Sequence, residues 1–289
     1  MPENNPRLGI ILMIATTFVF AIQDGISRHL AGEYNVYMVV MIRYWFFALF
    51  VITWAKMQHG SVRKVALTRQ PFLQITRALL LIAEICVMVL GFVYLGLIES
   101  YAIFITYPLI IAALSGVILG EQVGWRRWAA ICVGFTGVLV ILQPGFRVFS
   151  PYALFPLASA LMFALYGLLT RYAARKDSAE TSFFWTGIIG AVGMTAVGMF
   201  HWQSMTPGDW GWMAILSVMG ALGHFLLIKC YAVAEAGTVQ PFAYMQLVFG
   251  GALGWLIFSD NLRLGTAVGG AIVIAAGLFT LWRERAAKS

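Results

Sequence analysis

Residues 105–122 read ITYPLIIAALSGVILGEQ. The run is apolar enough to lie in hydrocarbon, yet it carries Pro108 near its middle and a carboxylate, Glu121, where the apolar stretch stops. A proline removes a backbone donor and bends a helix. Inside a bilayer such a break is tolerated only where the freed backbone faces protein or a cavity. Pro108, beside Tyr107, therefore marks a cavity-facing bend, and Glu121 a helix end at a membrane surface.

The whole chain agrees with a membrane setting. Of its 289 residues, 61% are hydrophobic and only 11% charged, and the mean hydropathy is +0.85. A water-soluble domain carries about 25% charged residues, so the bilayer is the main solvent. A crossing helix needs roughly 20 apolar residues. Runs of that kind occupy about 8–28, 36–55, 71–95, 100–119, 126–143, 151–172, 180–200, 209–233, 239–258 and 264–282. The first follows Arg7 as a signal peptide would, but it lacks a small-residue cleavage site and is read as a retained helix.

With ten crossings, thirteen of the nineteen Lys and Arg residues fall in loops on the side of the N-terminus. Three (Arg28, Arg147, Arg263) fall opposite, and three (Arg43, Arg77, Lys229) lie within runs. Basic residues stay on the cytoplasmic side, which predicts both termini in the cytoplasm. The net charge of +7 is thus a sign of orientation rather than of nucleic-acid binding.

The chain also repeats itself. At an offset of 143, FVFAIQDGISRHLA (18–31) overlies LMFALYGLLTRYAA (161–174). At 137, Tyr94 meets Tyr231 and Tyr107 meets Tyr244, and two residues of insertion later Glu121 meets Asp260. The expected architecture is all-α, with ten transmembrane helices as two five-helix halves, 1–143 and 150–289. An odd number per half inverts the second, and such inverted repeats recur in secondary transporters.

YPLIIAALSGVILGEQVGWRRWAAICVGFTGVLVIL (107–142) resembles the end of the EamA-type repeat of the drug/metabolite transporter superfamily. The shared features are Pro108, the small face at Gly116 and Gly120, the acid Glu121, and the following Gly134 and Gly137. In the second copy, QPFAYMQLVFGGALGWLIFSDNLRLGTAVGGAIVIAAGLFTL (240–281), the proline comes early, at Pro241. There the expected position carries Tyr244-Met245-Gln246, and the acid is Asp260. The resemblance implies a ten-helix exporter of small metabolites or drugs in the bacterial inner membrane. Within the superfamily the chain is most similar to exporters of aromatic amino acids.

Ionisable groups inside a membrane are costly and are functional candidates. Glu84 lies mid-way along the third run with no charge one turn away; Arg77, two turns along the same face, is the nearest candidate partner. Glu84 is read either as a carboxylate that carries a proton or binds a substrate amine, or as a hydrogen-bonded structural acid. His224 occupies the corresponding depth of the eighth run and is read either as a substrate contact or as a donor to a nearby carbonyl. Asp24 and Arg28, four apart, form with Arg43 a structural ion pair near the outer face or a gate. Arg77 and Lys229 snorkel to the interface. Tyr101, Tyr107, Tyr244 and Gln246 suit an aromatic or cationic ligand by stacking, cation–π contact or hydrogen bonding, or are packing residues.

Glycines at regular spacing, at 116, 120 and 124, at 187, 190 and 193, at 250 and 254, and at 265 and 269, read as packing seams inside each half. Dimerisation is the alternative, and a monomer is expected. Cys86, Cys132 and Cys230 lie in apolar runs as packing residues. No P-loop, HExxH or GxSxG pattern occurs, so no cofactor, metal or enzyme activity is expected. The expected partners are an amino-acid-like metabolite, the lipid bilayer and protons.

Overall fold

A computed structural model describes residues 5–120, 125–142, 150–234, 239 and 242–288. Glu121, Arg147 and Pro241, and the side chains of Arg126, Arg127, Arg283, Arg285 and Lys288, lie outside the described residues. The described residues are helical throughout, without a strand. We number the helices α1 (Pro6–Glu33), α2 (Val36–His59), α3 (Val62–Ala66), α4 (Pro71–Leu95), α5 (Leu97–Phe104), α6 (Tyr107–Leu119) and α7 (Trp125–Leu142). There follow α8 (Leu154–Ala173), α9 (Ala179–Gly198), α10 (Pro207–Val233), α11 (Met245–Phe258) and α12 (Leu264–Lys288).

Among the described residues seven segments are long and apolar enough to cross a membrane, counting α5 and α6 as one, and three shorter apolar helices accompany them. Large apolar side chains cover the outside: Phe72 and Val117 are each 85% exposed to the surroundings. In water that surface would be severely unfavourable; against lipid tails it is not. Polar caps mark several helix starts, as where Asn35 accepts from the Met38 amide and Ser178 from the Thr181 amide.

The fourth hydrophobic run is broken rather than bent. Helix α5 ends at Phe104, Ile105 and Thr106 form a turn, and α6 begins at Tyr107. The Thr106 amide turns back to the Ile103 carbonyl, and Leu109 and Ile110 both donate to the Thr106 carbonyl. Pro108 sits in the first turn of α6, where a missing N–H costs little. The expectation of a kink produced by Pro108 is therefore corrected: the proline starts a half-helix. A matching turn at Tyr244 precedes α11.

The helix pairings exchange when each element of residues 1–143 is swapped for its counterpart in 150–289. Helix α1 packs on α10 as α8 packs on α4; α4 on α9 as α2 on α10; α1 on α11 as α8 on α5 and α6. The pairs α2–α9 and α7–α12 map onto themselves.

Glycines seat rings across this contact. Gly190 faces the Tyr44 ring, Gly187 faces Phe47, Gly250 faces Tyr101, and Gly137 and Gly269 bring α7 and α12 together. The expectation of glycine seams inside each half is thus corrected. Gly187, Gly190, Gly193, Gly250, Gly254 and Gly269 face the opposite half, and at Gly187, Gly190 and Gly250 the missing side chain leaves a slot for an aromatic ring; Gly120 meets nothing within 4 Å, and Gly124 lies outside the described residues.

Candidate functional site

The central cavity lies where α1, α2, α4, α5, α8, α10 and α11 converge. Its polar lining is Gln23 and Asp24 from α1, Arg43 from α2, Glu84 from α4, His224 from α10 and Gln246 from α11. Phe20, Phe92, Phe104 and Phe163 supply rings, and Ile85, Met88 and Val89 complete the wall. No lining residue is more than 9% exposed. The cavity volume is about 40 Å³, against the roughly 10–15 Å³ that one water needs, so it has room for a few waters. That volume does not hold a metabolite with the helices placed as they are.

Each charged group in the cavity has a specific partner. Glu84 Oε1 accepts from Ser159 Oγ of α8 at 2.6 Å. Asp24 accepts from Tyr101 Oη at 2.8 Å and from Gln23 Nε2 at 2.9 Å. Arg43 Nη2 lies 3.2 Å from His224 Nε2. Two carboxylates thus face one guanidinium, with an imidazole beside it. Gln23 Oε1 and His224 Nδ1 are buried and have no hydrogen-bond partner among the described residues.

Several expectations change here. Glu84 meets Ser159, not Arg77, because Arg77 is turned away toward α8 and α9. Arg77 is fully buried, and it donates to Thr170 Oγ1 (3.1 Å), Gln74 Oε1 (2.9 Å), the Ser182 carbonyl (2.8 Å) and Tyr166 Oη (3.3 Å). It does not snorkel: neutral acceptors in the protein replace water around its guanidinium. Lys229 pairs with Glu180 of α9. Asp24 and Arg28 share a face of α1 but do not pair. Tyr101 holds Asp24, and Arg28 reaches Asp260 at the end of α11.

The tyrosines divide. Tyr101 touches the cavity wall through Asp24 and packs against Phe92 at 5.2 Å. Tyr107 is buried against Phe104 and Phe163, behind two lining rings. Tyr244 packs with Ile105, Leu109 and Val273, away from the cavity, and Pro108 is buried without lining it. Sequence reasoning missed Gln23 and Ser159. Only their buried, mid-span positions singled them out, and such polar residues commonly just bond their own helix.

Polar latches close both ends of the bundle. At one end Arg28 meets Asp260, which also accepts from the Leu97 amide at 2.8 Å, and Arg263 pairs with Glu99 at 2.8 Å. At the other end Asp177 accepts from Thr68, from the Arg69 amide and from Gln74. Burial pushes the Asp177 carboxyl upward, but these donors outweigh it and hold it below its ordinary value.

The sequence pattern of the EamA-like transporter family matches residues 7–143 and again 150–282. The chain belongs to the EamA-like transporter family. It is a multi-pass membrane protein of a transporter fold. It is 26% identical to the S-adenosylmethionine uptake transporter of Rickettsia prowazekii, over 97% of this chain and 95% of that one. It is equally 26% identical to the riboflavin transporter of Vibrio cholerae, over 98% and 96%. The pseudopaline exporter CntI of Pseudomonas aeruginosa is 22% identical over 93% and 94%. A solved crystal structure matches with a TM-score of 0.69 at 15% identity, over 99% of this chain and 100% of its own. That last likeness speaks for the fold alone. Family membership carries transport of a small molecule; it carries neither aromatic amino acids nor the outward direction, since the relatives include both uptake and export proteins.

Proposed function

We propose that this chain is a secondary carrier for a small, amino-acid-like metabolite that bears positive charge and a planar ring. The observation that carries this reading is the central cavity, with Asp24 and Glu84 facing the single guanidinium of Arg43 among phenylalanine rings. One acid more than base favours a cationic cargo. S-adenosylmethionine combines an ammonium, a sulfonium and an adenine ring, and fits that balance better than riboflavin, which has the ring without the charge. Aromatic amino acids have the ring and a single ammonium, and remain the second cargo to test.

In this reading the halves 1–143 and 150–289 rock about the cavity as an inverted repeat. The Arg28–Asp260 latch closes one mouth and the Asp177 network the other. Glu84 exchanges a proton as cargo binds and leaves. The motivation is its depth and its single neutral partner, Ser159. Gradients then set the direction of flux. The basic bias of thirteen loop residues against three supports a reading with both termini in the cytoplasm, and the bacterial relatives support a bacterial inner membrane.

Purified protein in liposomes, supplied with labelled S-adenosylmethionine or labelled phenylalanine, tests the reading. Saturable uptake, counterflow and competition by unlabelled cargo are expected, with a response to an imposed pH gradient. Uptake that rises linearly with concentration, or none for either compound, would sink it.

A further inference from the structure

We infer that Arg43 and His224 form an anion-binding subsite in the central cavity, with His224 held as its Nδ1–H tautomer and Gly220 as the residue that positions the pair. The inference deepens the carrier reading above and rests on it for the purpose of the site, though not for its geometry.

Arg43 reaches from α2 across α10, and its guanidinium lies directly against Gly220. A Cβ placed on Gly220 would stand 2.6 Å from Arg43 Nε, 3.1 Å from Cδ and 3.3 Å from Cζ. Any side chain there would lift the guanidinium off α10. Gly220 therefore sets where the Arg43 head rests, and that rest position brings Nη2 to within 3.2 Å of His224 Nε2.

A guanidinium has donors only, so His224 Nε2 must accept. The single proton of the neutral ring then sits on Nδ1. A protonated ring would set N–H against N–H and two cations side by side in the membrane interior. Nδ1 is buried and finds no acceptor among the described residues. His224 itself is 3% exposed and Arg43 2%. Arg43 makes no other side-chain hydrogen bond among the described residues. Phe20 and Phe47 flank the imidazole at 5.2 Å and 6.3 Å and fix its plane.

The result is a cationic fork held at Nη2 by the imidazole, its other N–H groups short of acceptors, with an unpartnered Nδ1–H on the far side of the ring. An unmet buried donor is unfavourable, and an anionic oxygen on the free N–H groups of the Arg43 fork is held by charge as well as by hydrogen bonds, while the His224 ring, accepting at Nε2, keeps the fork in place. The ligand class is a carboxylate. Across the cavity Glu84, Asp24 and Gln23 Oε1 offer only acceptors to the cationic end of the same molecule. Arg43, held in place by His224, thus reads the carboxylate of a zwitterion, while Glu84 and Asp24 read its positive charge.

The test needs no knowledge of the cargo. The chain has four histidines. In protein carrying ¹⁵N-histidine and reconstituted in nanodiscs, His224→Gln removes and so assigns one imidazole. A neutral ring protonated at Nδ1 is expected in the wild type. Formate and acetate, by taking N–H groups of Arg43, should shift its Nε2 resonance, and methylamine should not. Gly220→Ala should move the tautomer toward Nε2–H and weaken the formate response about tenfold. Should that variant fail to fold, Arg43→Met gives the same tautomer readout by removing the donor. An Nε2–H ring in the wild type, or no response to formate or acetate, overturns the subsite. Absence of transport with the tautomer and formate response intact would instead sink the carrier reading alone.

Discussion

Arg28 Nη1 lies 2.9 Å and 2.8 Å from the two carboxylate oxygens of Asp260. The pair fastens the end of α1 to the end of α11, and Asp260 adds the Leu97 amide at the start of α5. Next to it Gly96 turns at φ +92°, with the Asp260 oxygens 3.2 Å from where a Cβ would stand. Three helix ends from both halves therefore depend on one carboxylate. Hydrogen bonds to a charged group contribute about 1.5–3 kcal/mol. Asp260→Ala should open this mouth. In protein lacking the native cysteines, a cysteine at Met88 should react with a water-soluble maleimide about tenfold faster, the equivalent of roughly 1.4 kcal/mol. The swapped pair, Arg28→Asp with Asp260→Arg, should restore slow labelling. Equal rates in all three proteins would show that the latch holds nothing shut.

Among the described residues Glu84 has one hydrogen-bond partner, the Ser159 hydroxyl, and Ser159→Ala, which leaves the buried carboxyl without it, should cost about 1–3 kcal/mol in stability. Glu84→Gln keeps the shape and removes the charge. Transport should fall at least about tenfold, roughly 1.4 kcal/mol, and its response to a pH gradient should vanish. Wild-type flux with unchanged pH response in Glu84→Gln would end the assignment of proton exchange to this residue.

Asp177 gives a pH-dependent contribution of known sign. Its folded value lies below the ordinary 3.8, since the Thr68, Gln74 and Arg69 donors outweigh burial. The network therefore stabilises the fold fully above 3.8, and that contribution is lost as the pH falls through the lower, folded value. Thermal unfolding in nanodiscs should show Asp177→Asn melting below wild type near neutral pH. The two melting temperatures should converge under strongly acid conditions. A constant gap across that range would assign the stabilisation to packing instead.

Pro108 stands in the first turn of α6, where its missing amide breaks no ladder. Pro108→Ala should therefore leave α5 and α6 separate and transport near wild type. The stability loss should be about 0.4–1 kcal/mol, through the greater freedom of the unfolded chain. A tenfold transport defect without unfolding would return the proline to the mechanism.

The membrane class, the helical runs and the doubling of the chain were all legible in the residues, because each depends on local composition or fixed spacing. So was the candidacy of Glu84 and His224, since an ionisable group in an apolar run stands out at any distance from its partners. The partners themselves were not legible. Asp24 and Arg28 are four residues apart and looked like a pair, but Tyr101 lies 77 positions from Asp24 and Asp260 lies 232 from Arg28. Arg77 looked like a lysine-type snorkeler until four neutral acceptors closed around it. The glycine spacings were visible, but not that their slots receive rings from the opposite half.

By itself, then, the sequence determined the solvent this protein lives in and the periodic, repeated helices that follow. Transfer of apolar side chains and backbone pairing within a helix are properties of short stretches of chain. Only the tertiary structure decided which charges meet, that the fourth run is two half-helices, and that Gln23, Ser159 and Gly220 belong with the central cavity. Those outcomes depend on the convergence of helices far apart in the chain, where a buried polar group takes the nearest partner in space rather than in sequence.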